Sequence, residues 1–299
     1  MLRKISILTM LQLLTLALSL AAMAQSAPAG DWKAVDQALG RSGQVQADGA
    51  YKFGLPRGDL HVTVDGVEVK PTLALGSWLA FSSPGGDAMV MGDLVLTEDE
   101  VSPVMLALQE NGLHVTALHN HVLHESPRVM YMHINGHGDA VKLAGALKQV
   151  IALTKTPAPT PPPTAAPPAL DLDTAAIDAA MGAKGKANGG VYQVGVPRAE
   201  KITDAGMPVP GSMGLATAIN FQPTGGGKAA ITGDFVLLGG EVNPVIKALR
   251  QNGIQVTALH SHMLEEQPRL FFMHFWANDN AVKLAKGLRA ALDQTNSKK

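Results

Sequence analysis

The sequence predicts an α+β fold that occurs twice in tandem, each copy with a mainly antiparallel sheet and a β-α-β-β-α core. The first observation is an internal repeat: the five residues at 115–119 recur unchanged at 256–260, and matches on either side keep the same spacing. The second is the pattern inside each copy, where short apolar runs alternate with turns rich in glycine and proline. Such runs are typical of short antiparallel strands.

Each copy is expected to open with a short helix. In the first copy Trp32, Val35 and Leu39 share one helical face, and Gly40 ends the helix; Gly182 is the counterpart in the second copy. Four strands are then predicted in the first copy, at 51–55, 60–69, 76–82 and 88–96.

The rest of each copy supplies the β-α-β-β-α order. A helix is predicted to begin at Ser102-Pro103, as N-cap and first helical residue, and to end at Asn111-Gly112. Strands at 113–121 and 128–135 and a helix at 139–150 complete the copy. This order resembles part of a ferredoxin-like sandwich. Asn243-Pro244 predicts the same helix start in the second copy.

Two segments outside the copies organise the chain. A basic start, an apolar run and the small-x-small pattern Ala22-Met23-Ala24 predict a signal peptide cleaved before Gln25. A proline-rich stretch predicts a stiff linker of the polyproline II type. The predicted boundaries are 1–24 for the signal peptide, 31–154 for the first domain, 155–170 for the linker and 171–294 for the second domain.

The composition excludes several kinds of site and partner. The chain has no cysteine, which excludes disulfides, thiolate metal sites and a cysteine nucleophile. Its formal net charge of −1 provides no basic field for nucleic acid, so no nucleic-acid partner is expected. After signal cleavage we expect no integral membrane span, because no later stretch is long and apolar enough.

The chemistry-bearing motif is a repeated histidine cluster. Residues two apart on a strand share one face, so both histidines of a His-x-His project to the same side, and a third histidine lies on the next strand. With a turn centred on Ser126, His119 is expected to face His133 directly. The predicted metal ligands are His119, His121 and His133 in the first copy and His260, His262 and His274 in the second.

Three imidazoles suit a transition metal such as zinc or copper. Glu125 and Glu266 are candidates for a further metal ligand or for a hydrogen-bond partner of a ligating histidine. In an enzyme, either could be the catalytic base. Arg128 and Arg269 are candidates for pairing with those carboxylates or for contact with an anion. Asp93 and Asp234, each after a glycine, are expected to cap turns.

Three functions remain open at this point. The histidines can hold a metal for binding or handling, or serve a metal-dependent hydrolase with Glu125 or Glu266 as base. They can also belong to a non-metal module that binds a small or anionic cell-envelope ligand. Buried histidines that only stabilise the core would give the same local pattern, since the flanking residues are strongly apolar.

The segment at 257–269, together with 233–237 and 241–245, resembles the LppY/LpqO lipoprotein family, and the resemblance extends over both copies. It implies an exported bacterial protein and implies no particular activity. Lipoprotein members carry a cysteine after the signal, where this chain has Gln25. We therefore expect a periplasmic or secreted protein without a lipid anchor.

Overall fold

The computed structural model describes residues 32–83, 88–159 and 169–298. The predicted signal peptide and residues 160–168 of the predicted linker lie outside the described residues. None of the helices in the described ranges has the length and the apolar character that a membrane span requires. The two halves fold alike, each with a six-stranded antiparallel sheet and three α-helices, which confirms the predicted α+β duplication.

The first half runs from residue 33 to residue 151. Its elements are α1 (Lys33–Leu39), β1 (Gln44–Val45), β2 (Tyr51–Pro56), β3 (Val62–Val64), β4 (Val67–Val69), β5 (Gly76–Phe81), β6 (Ala88–Thr97), α2 (Glu98–Glu110), β7 (His114–His119), β8 (Glu125–Ser126), β9 (Val129–Gly138) and α3 (Ala140–Ile151).

The second half repeats this series and adds two 3₁₀ turns, Gly211–Met213 and Gly239–Glu241. Its elements are α4 (Thr174–Met181), β10 (Lys186–Asn188), β11 (Val191–Pro197), β12 (Thr203–Asp204), β13 (Met207–Pro208), β14 (Ala216–Gly225), β15 (Lys228–Leu238), α5 (Val242–Gln251), β16 (Gln255–His260), β17 (Glu266–Gln267), β18 (Leu270–Asn280) and α6 (Ala281–Leu292).

The strand order shows the predicted core. The first sheet has the order β1-β2-β5-β6-β9-β7, and the second has β10-β11-β14-β15-β18-β16. Strands β6 and β7 both pair antiparallel with β9, so they run parallel to each other and are connected by the crossover helix α2. This split β-α-β unit, followed by β9 and α3, is the part shared with a ferredoxin-like sandwich.

The predicted start of the second helix is wrong in both halves. Helix α2 begins at Glu98, and Pro103 lies inside it. The start is set earlier because the Glu100 carboxylate accepts a hydrogen bond from the Thr97 backbone N–H at 2.9 Å, and acidic residues in the first turn suit the positive end of the helix dipole. In the second half a 3₁₀ turn precedes α5, so Asn243 is also a helical residue.

Each sheet has a helix-covered face and an inner face. In β9, Met132 and Ile134 join the core formed with the helices, while Tyr131, His133 and Asn135 alternate onto the other face. The inner faces of the two sheets are turned toward each other, because two of the apolar clusters draw residues from both halves.

A hairpin arm from each half reaches across to the other. Strands β3 and β4 form one arm, which shares an apolar cluster with Trp276, and the Trp276 indole N–H donates to the Asp65 carboxylate at 3.1 Å. The reciprocal arm, β12 and β13, brings the Asp204 carboxylate to the Asn135 amide at 2.6 Å. The two halves are therefore interlocked around the surface that they share.

Candidate metal centre between the repeats

The strand pattern delivers the histidines to the inner faces. His133 in β9 and His274 in β18 are both 3% exposed and lie midway along long central strands. His119 and His260 are the last residues of edge strands β7 and β16, and His121 and His262 follow two residues later. All six predicted ligands therefore point toward the contact between the two sheets.

The predicted register of the first histidine hairpin is wrong. His119 pairs with Tyr131, and Ala117 is the residue opposite His133. The register shifts at Thr116, which forms a β-bulge, and Thr257 forms the same bulge in β16. The His119 and His133 rings nevertheless lie 5.0 Å apart, with an interplanar angle of 1°.

The bulges turn two threonine side chains across the interface. The Thr116 hydroxyl donates to the His262 carbonyl at 2.6 Å, and the Thr257 hydroxyl donates to the His121 carbonyl at 2.5 Å. Each half thereby holds the His-x-His segment of the other. The Asn120 amide adds a further bond to the Thr257 carbonyl at 3.1 Å.

The six rings form one cluster instead of two separate sites. The His119 and His260 rings stack at its centre, with centroids 3.6 Å apart. On either side, His121 lies 3.9 Å from His274, and His133 lies 3.7 Å from His262. Every one of these three contacts joins a histidine of one half to a histidine of the other.

Most ring nitrogens of this cluster have no hydrogen-bond partner among the described residues. The Nε2 atoms of all six histidines are buried and accept or donate no hydrogen bond within the described part of the chain. The His119 Nδ1 lies 3.0 Å from the Asn120 carbonyl, and the His274 Nδ1 lies 2.7 Å from the Gly233 carbonyl. Because a carbonyl only accepts, Nδ1 carries the proton in both rings, and Nε2 presents a free lone pair toward the cluster.

Two aspartates complete the cluster, and the expectation that they cap turns is wrong. Asp93 and Asp234 lie in the middle of strands β6 and β15 on the inner faces, Asp93 buried and Asp234 partly buried. The Asp93 carboxylate is 3.5 Å from the His121 Nε2 and 4.0 Å from the His133 Nε2. The Asp234 carboxylate is 3.0 Å from the His262 Nε2 and 4.0 Å from the His274 Nδ1.

Burial sets the protonation of these groups. It lowers the pKa of His121, His133 and His274 well below the usual range, and the neighbouring imidazoles lower it further. The pKa of His260 falls for the same two reasons, and burial takes the pKa of His262 to about 3. These rings are therefore neutral at pH 7, the form in which imidazole binds a metal. Burial also raises the pKa of Asp234 to about 6.

Three sets of ligand atoms lie close enough to surround one ion, with all atoms of a set within 4.8 Å of one another. A tetrahedral ion with bonds of 2.0–2.1 Å places its nitrogens about 3.4 Å apart, so a set has to contract to bind one ion. The sets are His119 with His260 and His274; His133 with His260 and His262; and Asp93 with His119 and His133.

The predicted carboxylates and arginines lie apart from the cluster. Within the described residues, no Glu125 or Glu266 oxygen is within 4 Å of an imidazole nitrogen of the six. Glu266 is 1% exposed and accepts bonds from the Leu270 backbone and from Arg269. Burial raises the pKa of Glu125 to about 7, and Arg128 is exposed. Their catalytic or anion-binding roles stay predictions.

The two halves of the cluster differ at one aromatic residue. The His121 ring stacks on Tyr131 at 3.3 Å, and the equivalent His262 ring stacks on Phe272 at 3.4 Å. The Tyr131 hydroxyl is buried and has no hydrogen-bond partner within the described residues.

Sequence reasoning missed the two aspartates and the two threonines. A signal for both was present, since Gly92-Asp93 recurs as Gly233-Asp234 and Thr116 recurs as Thr257 at the spacing of the repeat. The glycine before each aspartate has a packing reason, because a Cβ at Gly92 would lie 2.8 Å from the Trp78 carbonyl oxygen.

Comparison with known proteins identifies the repeated unit. The model of the family described as Domain of Unknown Function (DUF1259) matches the chain twice, over residues 33–153 and 175–294. None of the curated protein sequences matches the chain. The resemblance to the LppY/LpqO family stays a prediction.

Three solved structures show a weak overall likeness. An unknown protein from Galdieria sulphuraria is 10% identical, with 71% of this chain and 95% of that chain covered and a TM-score of 0.18. The trimeric bacterial microcompartment shell protein PduB is 13% identical, with 84% and 90% covered and a TM-score of 0.20. EtuB from Clostridium kluyveri is 9% identical, with 84% and 90% covered and a TM-score of 0.19. At these TM-scores none of the three bears on function.

Proposed function

The chain belongs to the DUF1259 family, whose domain it carries twice, and we propose that the two domains together bind transition metal ions between them. The observation that carries the proposal is the convergence of six buried Nε2 atoms that make no hydrogen bond to the described residues, although those of His262 and His121 lie 3.0 Å and 3.5 Å from aspartate carboxylates. A buried polar group without a partner costs roughly 1–3 kcal/mol, and six in one place are difficult to reconcile with a purely structural role. A bound cation accepts their lone pairs.

The donor set indicates the class of metal. Neutral imidazoles with nearby carboxylates suit zinc, copper and related divalent ions of the first transition row. The Asp93 and Asp234 carboxylates place negative charge beside the rings, and a divalent cation balances that charge in a low-dielectric setting.

The burial of the cluster favours binding or handling of metal over hydrolysis. His119, His133 and His274 are at most 8% exposed, and the cluster lies between two sheets. The hydrolase alternative assigned the base to Glu125 or Glu266, and the carboxylates that lie beside the rings are instead Asp93 and Asp234.

The proposal includes the cellular setting predicted from the sequence. The chain is exported by the signal peptide at 1–24 and, with Gln25 at the cleavage site, works in the periplasm or outside the cell without a lipid anchor. The domains are 31–154 and 171–294, joined by the proline-rich linker 155–170.

The test is the metal content of untagged protein purified from the periplasm, measured by mass spectrometry. We expect zinc or copper to be bound, and to be lost in His119→Ala/His260→Ala. The matched control is His124→Ala/His137→Ala, since both of these histidines are exposed. Metal-free protein that also takes up no zinc, copper, nickel or iron on titration would refute the proposal. Circular dichroism of each variant establishes that it is folded.

A further inference from the structure

We propose that the cluster holds two metal ions, each bound by the His-x-His of one repeat and by the third histidine of the other. The inference rests on the proposed metal-binding function and adds the number of ions and the exchange of ligands. One position comprises His260, His262 and His133. The other comprises His119, His121 and His274.

The first position rests on the distances between its ligand atoms. The ligand atoms of His133, His260 and His262 all lie within 4.8 Å of one another. The His133 and His262 rings are 3.7 Å apart across the interface, and the two rings of the His-x-His are 5.0 Å apart. One ion between them thus takes two ligands from the second half and one from the first.

The repeat generates the second position. Its third histidine, His274, lies 3.9 Å from the His121 ring and 5.3 Å from the His119 ring. The corresponding distances at the first position, from His133 to the rings of His262 and His260, are 3.7 Å and 5.6 Å. The ring arrangements at the two positions are therefore alike, and the set of ligand atoms within 4.8 Å that contains His119 and His274 takes His260 of the first position as its third member.

One aspartate lies between the proposed positions. Asp93 is beside the Nε2 atoms of His121 and His133, which belong to different positions. Asp234 is beside the Nε2 of His262, but its contact with His274 is to Nδ1, which bonds to the Gly233 carbonyl. A carboxylate has two oxygens, so Asp93 can bridge both ions, and Asp234 adds negative charge that offsets the repulsion between them. Bridged pairs of metal ions in proteins are typically about 3.5–4 Å apart.

Two double variants distinguish ions that are bound by histidines of both repeats from ions that are each bound within one repeat. His121→Ala/His274→Ala removes two ligands from a single position, so native mass spectrometry with Zn²⁺ should show about one ion per chain in place of about two. His121→Ala/His133→Ala removes one ligand from each position, so both ions should bind more weakly, by at least about tenfold. If each repeat held its own ion, these two results would be interchanged, and the exchange would be refuted.

The number of bound ions can be measured separately, by electron paramagnetic resonance. Full-length protein loaded with Cu²⁺ should give an electron paramagnetic resonance spectrum of two coupled ions, and Asp93→Asn/Asp234→Asn should weaken that coupling. One ion per chain in the unsubstituted protein, or two ions without coupling, would overturn the paired arrangement while leaving metal binding intact. Failure to bind Zn²⁺ or Cu²⁺ at all would overturn the proposed function and, with it, this inference. Circular dichroism again identifies variants that fail to fold, and His121→Gln/His274→Gln then replaces the alanine pair.

Discussion

The Thr116 hydroxyl in the first repeat donates a hydrogen bond to the backbone carbonyl of His262 in the second, at 2.6 Å. The reverse bond joins Thr257 to His121 at 2.5 Å. Both threonines sit at β-bulges, where the strand has one residue more than its partner and the side chain is turned away from its own sheet. The bulges are thus the local feature that aligns each His-x-His with the opposite repeat.

Thr116→Val/Thr257→Val should therefore weaken metal binding and stability together. Valine keeps the shape and removes the hydroxyl, so two carbonyls at the interface lose their donors, at a cost of about 1–3 kcal/mol each. The Zn²⁺ dissociation constant and the free energy of unfolding both report the change. Serine at the same positions should restore most of the loss.

The matched control is Thr63→Val, which removes an exposed hydroxyl that bonds to the Ser126 carbonyl at 3.3 Å. This variant should leave Zn²⁺ affinity unchanged. Equal effects of the interface and control substitutions would contradict the role given to the bulges.

The histidines could be predicted from the sequence because strand alternation is local. Residues two apart in an extended segment share a face, and the histidines reach the inner face although β7 and β16 end at His119 and His260. The exchange of ligands between repeats could not be predicted in this way, because it depends on how the two sheets pack. Repeats that each closed around their own ion would have the same residues at the same spacing.

The aspartates were missed for a related reason. A glycine followed by aspartate is typical of a turn, and this local pattern was given more weight than the predicted strand at 88–96, which already places Asp93 inside β6. The helix start was misplaced because Ser102-Pro103 has the composition of an N-terminus, while Glu100 and Thr97 begin the helix one turn earlier. In both cases the local sequence is typical of the predicted feature, but strand pairing and side-chain hydrogen bonds determine where the strand and the helix lie.

Tyr131→Phe should leave the metal-free protein as stable as before, or more stable by up to about 1 kcal/mol. The Tyr131 hydroxyl has no partner within the described residues, and Phe272 fills the equivalent position in the second half. Urea denaturation of the metal-free protein measures the difference. Tyr51→Phe provides the contrast, because that hydroxyl donates to Asp36 at 2.9 Å and its removal should cost about 1 kcal/mol. A comparable loss at Tyr131 would show that its hydroxyl has a partner.

Glu100→Gln should be strongly destabilising. Glu100 accepts bonds from the fully buried Arg57 at 2.7 Å and 3.2 Å, and loss of its charge leaves the guanidinium with the Asp59 carboxylate alone. Breaking a buried pair from one side costs about 3–5 kcal/mol. Glu98→Gln, an exposed change in the same helical turn, is the control and should stay within about 0.5 kcal/mol.

The Arg57–Glu100 pair should make the free energy of unfolding fall as the solution becomes acidic. Burial, the largest single influence, would raise the pKa of Glu100, but the hydrogen bonds and charge of Arg57, together with backbone N–H bonds from Thr97 and Lys155, outweigh it and lower the pKa below 4.5. A carboxyl whose pKa is lower in the folded protein stabilises the fold above its unfolded pKa and loses that contribution as the pH falls through the folded value. Glu100→Gln should therefore flatten the loss of stability below about pH 4.5. An unchanged acid limb would contradict this assignment.

Cleavage of the linker should leave the two halves together. The arm containing β3 and β4 packs against Trp276, the arm containing β12 and β13 packs against Asn135, and the threonine bonds join the repeats directly. These contacts do not depend on the covalent connection between the repeats. A protease site placed within 160–168 should give two fragments that co-elute in size-exclusion chromatography, and Zn²⁺ should raise the denaturant concentration at which they separate, because it binds only the joined form. Fragments that elute separately without denaturant would show that the linker, and not the shared surface, holds the repeats together.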